Sequence, residues 1–464
     1  MGQDLHNGGT LKRSLKNRHL QMIALGSSIG TGLFYGSAAT IELAGPAIIL
    51  SYLLGGIFIF IFMRMLGEMT VHEPVGGGYV YYADKYLGGF AAYLLGWNYW
   101  IIYLLLSMAE VAACTVYLAF WFPDIPTWAT SLFCIILIAG INSMHVRFYG
   151  ETEFVSSLIK VSAIILIIVF GLYIAFAEMG PFPQNFHNLW DYGGFMPNGI
   201  WGLLQSIVVV IFAFTGIELV AIASGEAENP EKNIPMAINQ IVIRIMLFYI
   251  GTMVVLMTLS PWNEVGLNAS PFVQIFEFIG IPAVAHILNF VVLISALSVY
   301  NSVMYSNPRF LYGLAKAKNA PKMFLRLSKH GVPVVGTLFT AGLTLFIVFL
   351  SLIYPSAGEL FMLLLSYFVA GILMCWATII LTHLKFRQKM EREGRMAEVK
   401  FKSIGYPIVN YISLACLFGV AVIMWFTESM HNVPYAIPVW FAILYGTYKL
   451  NPNNKDRKQL HEEV

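Results

Sequence analysis

Charge is what this 464-residue chain has least of: Asp, Glu, Lys and Arg together make up 11% of it, against 58% hydrophobic residues. At a mean hydropathy of +0.71 such a chain cannot cover its surface with polar groups, which excludes a soluble globular protein. Cysteine is equally scarce. Cys114, Cys134, Cys375 and Cys416 form no close-spaced pair, which argues against a zinc site or a disulfide framework and leaves them as small packing residues. No metal-spaced cluster of Asp, His or Cys stands out, and no nucleophile has a base beside it, so the chain reads as non-enzymatic, with neither cofactor nor metal expected. The net charge of +2 is not gathered in a patch and gives no reason to expect nucleic acid. No polar stretch is long enough for a soluble domain, and the polar first 18 residues leave no cleavable leader expected ahead of the first apolar run.

What the chain does have is long apolar runs. A crossing needs about 20 apolar residues, and that length predicts twelve spans, over 19–40, 45–67, 89–120, 126–145, 152–177, 199–224, 239–259, 275–305, 334–353, 358–383, 406–427 and 434–449. The few cations are sorted among the gaps. All but one of the 27 Lys and Arg residues fall in or beside every second gap, beginning with Lys12, Arg13, Lys16 and Arg18. The 306–333 gap carries Arg309, Lys316, Lys318, Lys322, Arg326 and Lys329, while 178–198 and 260–271 hold Glu178, Asp191 and Glu264 without a cation. This is the positive-inside pattern, with both termini cytoplasmic and lipid around a multi-pass protein. Trp121, Trp128, Trp190, Trp201 and Trp262 sit near the outer ends, as interfacial anchors do.

Two spans are interrupted. The first holds Gly26-Ser27-Ser28-Ile29-Gly30-Thr31-Gly32 and the sixth Phe212-Ala213-Phe214-Thr215-Gly216-Ile217-Glu218, mixing glycines with hydroxyl residues that weaken a helix. Glycine alone would serve tight helix packing; the neighbouring hydroxyls and Glu218 go beyond it. Breaks in spans one and six suggest two inverted five-span units. The organisation expected is a tail 1–18, a first unit 19–177, an outer loop 178–198, a second unit 199–383, a cytoplasmic loop 384–405, spans eleven and twelve over 406–449, and a tail 450–464. Unwound backbone within a membrane needs protein, water or ligand to pair with it. Amides at a half-helix start suit a carboxylate, and carbonyls at a half-helix end suit an ammonium. Together they suit the head of an α-amino acid. The carboxylate is expected on amides around Gly30, Thr31 and Gly32, and the ammonium on carbonyls of Ser28, Phe212 and Thr215.

Lys160, Glu110 and Glu218 are the ionisable residues at membrane depth. An ammonium there costs about 2.5 to 3.5 kcal/mol on insertion scales, so Lys160, the one cation outside the sorted gaps, reads as functional, with Glu218 at similar depth as a direct or relayed partner. A desolvated amine can lose and regain a proton within a transport cycle. One proton crossing 100 mV releases about 2.3 kcal/mol, enough to concentrate a neutral solute roughly 50-fold. Glu68, Arg64 and Arg244 lie at cytoplasmic span ends, where a structural role or snorkelling is expected. His72, His145, His286 and His383 read mainly as solvated or interfacial residues near span ends.

Leu15-Lys16-Asn17-Arg18-His19, Ile29-Gly30-Thr31-Gly32-Leu33-Phe34, Leu66-Gly67-Glu68-Met69 and Gly96-Trp97-Asn98-Tyr99-Trp100 form one set of recognisable motifs. Asn229-Pro230-Glu231-Lys232-Asn233-Ile234-Pro235, Leu297-Ser298-Val299-Tyr300-Asn301-Ser302 and Asn319-Ala320-Pro321-Lys322 form another. Over nearly its whole length the chain resembles the bacterial amino-acid permeases of the amino acid, polyamine and organocation superfamily, in the proton-coupled group with the aromatic amino acid and phenylalanine permeases. The resemblance implies an all-α, LeuT-like five-plus-five inverted repeat in the bacterial inner membrane, with a substrate site between helices one, three, six, eight and ten. By it, Gly30, Thr31 and Gly32 belong to the carboxylate-binding segment, with Ser28 and Ile29 beside them in the substrate-binding set, and Phe212, Phe214 and Thr215 belong to the segment that binds the amino group and covers the substrate. Lys160 matches the fifth-helix lysine that takes the sodium position, and Tyr103 and Glu218 match positions closing the inner side of the pocket. Leu106, Ser107, Glu110, Thr115 and Tyr300 are further pocket candidates.

The chain departs from the aromatic permeases in having Thr215 and Thr115 where they carry glycine or a small residue, Ser27-Ser28 for a more glycine-rich pair, and proline in Asn307-Pro308-Arg309. Each threonine adds volume and a hydroxyl near the side-chain pocket. The expected activity is import of an aromatic or other large neutral L-amino acid with a proton by alternating access. Exchange, a substrate such as His, Lys or a small neutral amino acid, a non-transporting receptor and a membrane enzyme stay open as alternatives.

Overall fold

The computed structural model describes residues 28–75, 78–143, 146–177, 186–218, 230–265, 270–278, 280–328, 331–354 and 356–451. Among these, every regular element is a helix, and eight runs are long and apolar enough to cross a membrane: Gly36–His72, Gly89–Ala119, Thr152–Ala177, Glu231–Leu259, Pro282–Lys316, Val334–Ile353, Ala357–Arg392 and Ile408–Phe426. Thr127–Ser143 and Gly199–Ala213 are shorter apolar helices. The chain is a multi-pass membrane protein. In order, the helices that matter below are α1 (Thr31–Phe34), α2 (Gly36–Ala44), α3 (Ile48–His72), α4 (Gly78–Leu87), α5 (Gly89–Ala119), α6 (Thr127–Ser143), α7 (Val146–Ala177), α8 (Gly199–Ala213), α9 (Pro230–Leu259), α10 (Pro271–Phe278), α11 (Pro282–Lys316), α12 (Val334–Thr344), α13 (Phe346–Ile353), α14 (Ala357–Arg392), α15 (Ile408–Phe426) and α16 (Ala436–Leu450).

The centre of the bundle is α5, an unbroken 31-residue helix against which α11 and α14 pack most extensively. Its apolar residues are distributed all round, as a helix surrounded by other helices requires. The periphery is different. Leu158, Ile165, Val169 and Phe170 of α7, Phe346 and Phe349 of α13, and Ile408, Phe418 and Phe426 of α15 are exposed, a surface suited to acyl chains rather than water. Cys416 lies exposed on α15 instead of in the core, whereas Cys114, Cys134 and Cys375 are buried. Pro308 sits within a continuous α11. The kink-prone residue therefore does not end the helix there.

The first interrupted segment is broken where its glycines and hydroxyls stand. Helix ends at Ser28, Ile29 and Gly30 are non-helical, and Gly30 is extended (φ −139, ψ −160) as the N-cap of the short α1. A second discontinuity at Tyr35 separates α1 from α2. Gly26 and Ser27 lie outside the described residues. The second interruption follows α8: residues 214–218 are turns, and Gly216 holds φ +94, a left-handed conformation open to glycine and costly for other residues. The two breaks meet. A Cβ added to Gly32 would stand 2.6 Å from the Ala213 Cα, so only a glycine lets these backbones touch.

Candidate functional site

A cavity containing about 570 Å³ of space between atoms, part of it open to solvent, lies where the two breaks converge on α5. Ser28, Gly30, Thr31 and Gly32 line it from the first break, and Phe212, Thr215, Gly216 and Glu218 from the second. Helix α5 contributes Tyr99, Ile102, Tyr103, Leu106 and Glu110, α11 contributes Val299, Ser302, Val303 and Ser306, and α14 contributes Phe368 and Ile372. One wall is thus main chain and hydroxyls, the other aliphatic and aromatic. That division suits a small molecule with a polar head and an apolar body.

The polar wall has a defined order. Thr31 Oγ1 donates to Glu110 Oε1 at 2.6 Å, tying the first break to α5, while Glu110 Oε2 is buried with no hydrogen-bond partner. Gly216 N donates to Glu218 Oε2 at 3.0 Å, so the carboxyl group caps the turn that carries it. Thr215 Oγ1 donates to the Phe212 carbonyl at 2.7 Å, the usual way a threonine competes for helix backbone. On the side of α4, Tyr79, Tyr99, Tyr103 and Phe310 stack, with Tyr79 and Tyr99 centroids 4.6 Å apart and Tyr103 and Phe310 5.6 Å apart. Of these rings Tyr99 and Tyr103 line the cavity and form its floor. Phe212 and Phe368 meet edge to face at 5.3 Å on the opposite wall.

Several sequence-predicted residues stand back from the cavity. Ile29 is fully buried and its carbonyl accepts from Ser295 Oγ at 3.2 Å. Ser107 donates to its own helix at the Tyr103 carbonyl. Phe214 packs on Tyr52 and Tyr249 with centroids 6.1 and 5.3 Å apart, and Tyr300 is buried behind the wall. Thr115 lines a separate small cavity with Thr127, Ser131, Ser351 and Tyr354, because it lies more than a helical turn past Glu110 on α5. Its side chain is not a neighbour of the central cavity.

Lys160 is fully buried while Leu158, Ile165 and Leu166 on the same helix are exposed; its amine points into the bundle, not at lipid. Among the described residues it pairs with Glu153 of its own helix, Nζ to Oε1 3.9 Å, and makes no direct ion pair with Glu218. The Glu110 carboxyl also acts on it electrostatically. Glu153 stands at the threshold of the fifth apolar run, where a carboxylate reads as solvated, so the sequence alone does not single it out. Ser298 Oγ of α11 donates to its Oε2 at 2.8 Å and buries it.

Tyr249 is a second residue the sequence did not announce. Its hydroxyl lies 2.7 Å from the Ser28 carbonyl and 2.9 Å from the Ala213 carbonyl, one side chain serving the freed backbone of both breaks. A single tyrosine in the apolar α9 carries no pattern that could have flagged it. His383 is a correction to the sequence reading, while Glu68 takes the structural role expected of it. Both are fully buried, with His383 Nε2 3.0 Å from Glu68 Oε2, Arg387 Nη2 donating to that oxygen at 3.1 Å and Ser403 N at 2.7 Å. The span end is roofed by the following loop, so neither group meets water.

Known proteins share this chain's pattern from end to end. The amino acid permease family matches residues 19–461. The aromatic amino acid transport protein AroP of Escherichia coli (strain K12) is 45% identical over 444 residues, 96% of each chain, and that of Salmonella typhimurium (strain LT2) is 45% identical over 438 residues, 94% of this chain and 95% of the relative. The uncharacterized amino acid permease YtnA of Bacillus subtilis (strain 168) is 40% identical over 448 residues, 96% of this chain and 95% of the relative.

Proposed function

This chain belongs to the amino acid permease family, and from that premise we propose that it imports an aromatic or other large neutral L-amino acid together with a proton by alternating access. The membrane is the bacterial inner membrane, with both termini cytoplasmic, as the sorting of cations among the gaps favours. The fold proposed is twelve spans: inverted five-helix units over 19–177 and 199–383, then two further helices over 406–449.

The observation that carries the reading is the meeting of two helix breaks at a cavity whose remaining walls are apolar. The substrate carboxylate lies against the backbone of Gly30, Thr31 and Gly32. The ammonium lies against carbonyls of Ser28, Phe212 and Thr215. Ser28 already accepts from the Tyr249 hydroxyl and Phe212 from both the hydroxyl and the amide of Thr215, so the ammonium takes its place by sharing these carbonyls with, or displacing, their present donors. The side chain extends among Ile102, Leu106, Val299, Val303 and Phe368, where burial of a ring contributes about 25 cal/mol per Å². Relatives named for aromatic amino acid transport support that choice. Lys160, buried in the bundle and within reach of two carboxylates, takes up and releases the proton; Glu218 and Tyr103, at the cavity's floor and turn, close the inner side.

Reconstituted vesicles given radiolabelled Phe, Tyr, Trp, His, Lys, Ala and Pro in turn, with and without an imposed inward proton gradient, test substrate and coupling together. Accumulation of an aromatic amino acid that rises with the gradient is the expected result. Uptake indifferent to the gradient removes the proton and leaves an amino-acid exchanger or facilitator. Accumulation of only small or basic amino acids removes the aromatic choice.

A further inference from the structure

Glu153 is a buried carboxylate between the Lys160 amine and the end of α7 that leads to Arg147. Its position has three features that a helix-packing residue does not need. Oε1 faces Lys160 Nζ at 3.9 Å and has no hydrogen-bond partner. Oε2 is fixed from the neighbouring helix by Ser298 Oγ at 2.8 Å. The Lys160 side chain is 0% exposed while that of Glu153 is 10% exposed, with Oε1 itself buried, so of the two side chains the carboxylate's lies nearer the protein surface. Among the described residues, the charged groups that act on the amine are Glu153 from α7 and Glu110 from α5.

We propose that Glu153 is the inward leg of the proton route, receiving the proton from the Lys160 ammonium and passing it to water on the cytoplasmic side. The inference rests on the proton-coupled reading above. The step balances simply: an N–H bond of the ammonium breaks, an O–H bond forms on Oε1, leaving a neutral amine and a carboxylic acid, and the acid then gives the proton to water. A separation of 3.9 Å is longer than a hydrogen bond and within reach of a rotamer adjustment or one bridging water. Ser298 makes the route directional. By holding Oε2, it leaves Oε1 as the oxygen that meets the amine.

The test uses the full-length protein in phospholipid vesicles with entrapped pyranine, with radiolabelled phenylalanine or whichever of the seven amino acids above carries the strongest uptake. Proton entry and substrate entry are recorded together for the wild type, Lys160→Met, Glu153→Gln and Glu153→Asp. In Glu153→Gln the ratio of proton to substrate flux is expected to fall at least tenfold, as in Lys160→Met. In Glu153→Asp coupling survives and the pH profile of uptake moves. A Glu153→Gln protein that keeps the wild-type ratio while Lys160→Met loses it overturns the relay and leaves proton coupling standing. A wild type that moves no protons overturns both. Should Glu153→Gln not fold, the aspartate variant decides: a pH profile superimposable on the wild type assigns the side chain to holding α7 against α11 and overturns the relay.

Discussion

Two buried ionic clusters lie in this bundle, and they are built to opposite specifications. At the C-terminal end of α3, Glu68 is crowded by donors: His383, Arg387 and the Ser403 amide converge on one oxygen, and Arg387 Nε makes an ion-pair contact of 2.5 Å with the other, outside hydrogen-bond geometry. In the middle of α7, Lys160 and Glu153 stand 3.9 Å apart, and across the bundle Glu110 keeps one oxygen without a hydrogen bond. Crowded partners fix a charge state, because changing it would strand several donors at once. A carboxylate oxygen without a donor, as on Glu153 and Glu110, leaves its group freer to change. The two kinds of carboxylate are told apart by the donors that meet them, not by burial, since both are largely buried.

The contrast breaks most visibly at Glu68. Glu68→Ala leaves Arg387 and His383 buried without their counter-ion, and removing one member of such a pair costs about 3 to 5 kcal/mol, to be read as a large fall in Tm of the purified protein. Whatever Glu68→Ala protein survives should still couple proton to substrate. Lys160→Met should do the reverse, with Tm near the wild type and gradient-driven accumulation reduced about 100-fold, equivalent to about 2.7 kcal/mol. If both variants lose Tm and coupling alike, the distinction between the clusters is wrong.

Tyr249→Phe probes the site between these extremes. Deleting a hydroxyl that serves two buried carbonyls costs about 1 to 3 kcal/mol, expected as a several-fold loss of apparent affinity for the substrate in binding assays. Thr215→Gly removes volume and a methyl group from the cavity wall, and pocket differences of that size discriminate by about 1 to 3 kcal/mol. The ratio of Trp to Phe uptake should rise. The smallest effect is at the exposed loop pair Arg395 and Glu398, 2.9 Å apart. Hydrogen bonding to Arg395 holds the Glu398 carboxyl below its ordinary value, so its stabilising contribution is present at neutral pH and is lost as pH falls through and below that ordinary value. Exposed pairs of this kind contribute little, and Arg395→Ala should leave Tm within scatter at pH 7 and at pH 4.

The fold class was legible because lipid imposes long apolar runs, and the interruptions were legible because Gly30, Gly32 and Gly216 stand beside hydroxyl residues and Glu218 within those runs. Lys160 was legible as the single cation out of place. Glu153, Tyr249 and the inner-face cluster were not, for a common reason. Each depends on what a different element does in space: Ser298 buries Glu153, two distant carbonyls recruit Tyr249, and the 399–403 segment roofs His383. Thr115 and Phe214, expected at the pocket from the family resemblance, do not line the central cavity of this structure, since a few residues along a helix are enough to turn a side chain to another face.

The contact between Gly32 and Ala213 sets a rule for motion. Two main chains that touch without intervening side chains, and share the Tyr249 hydroxyl as a rivet, have no soft layer across which to slide. In the alternating-access cycle proposed above, the two broken segments should therefore travel as a single rigid jaw, with the hinging left to the helices that face them.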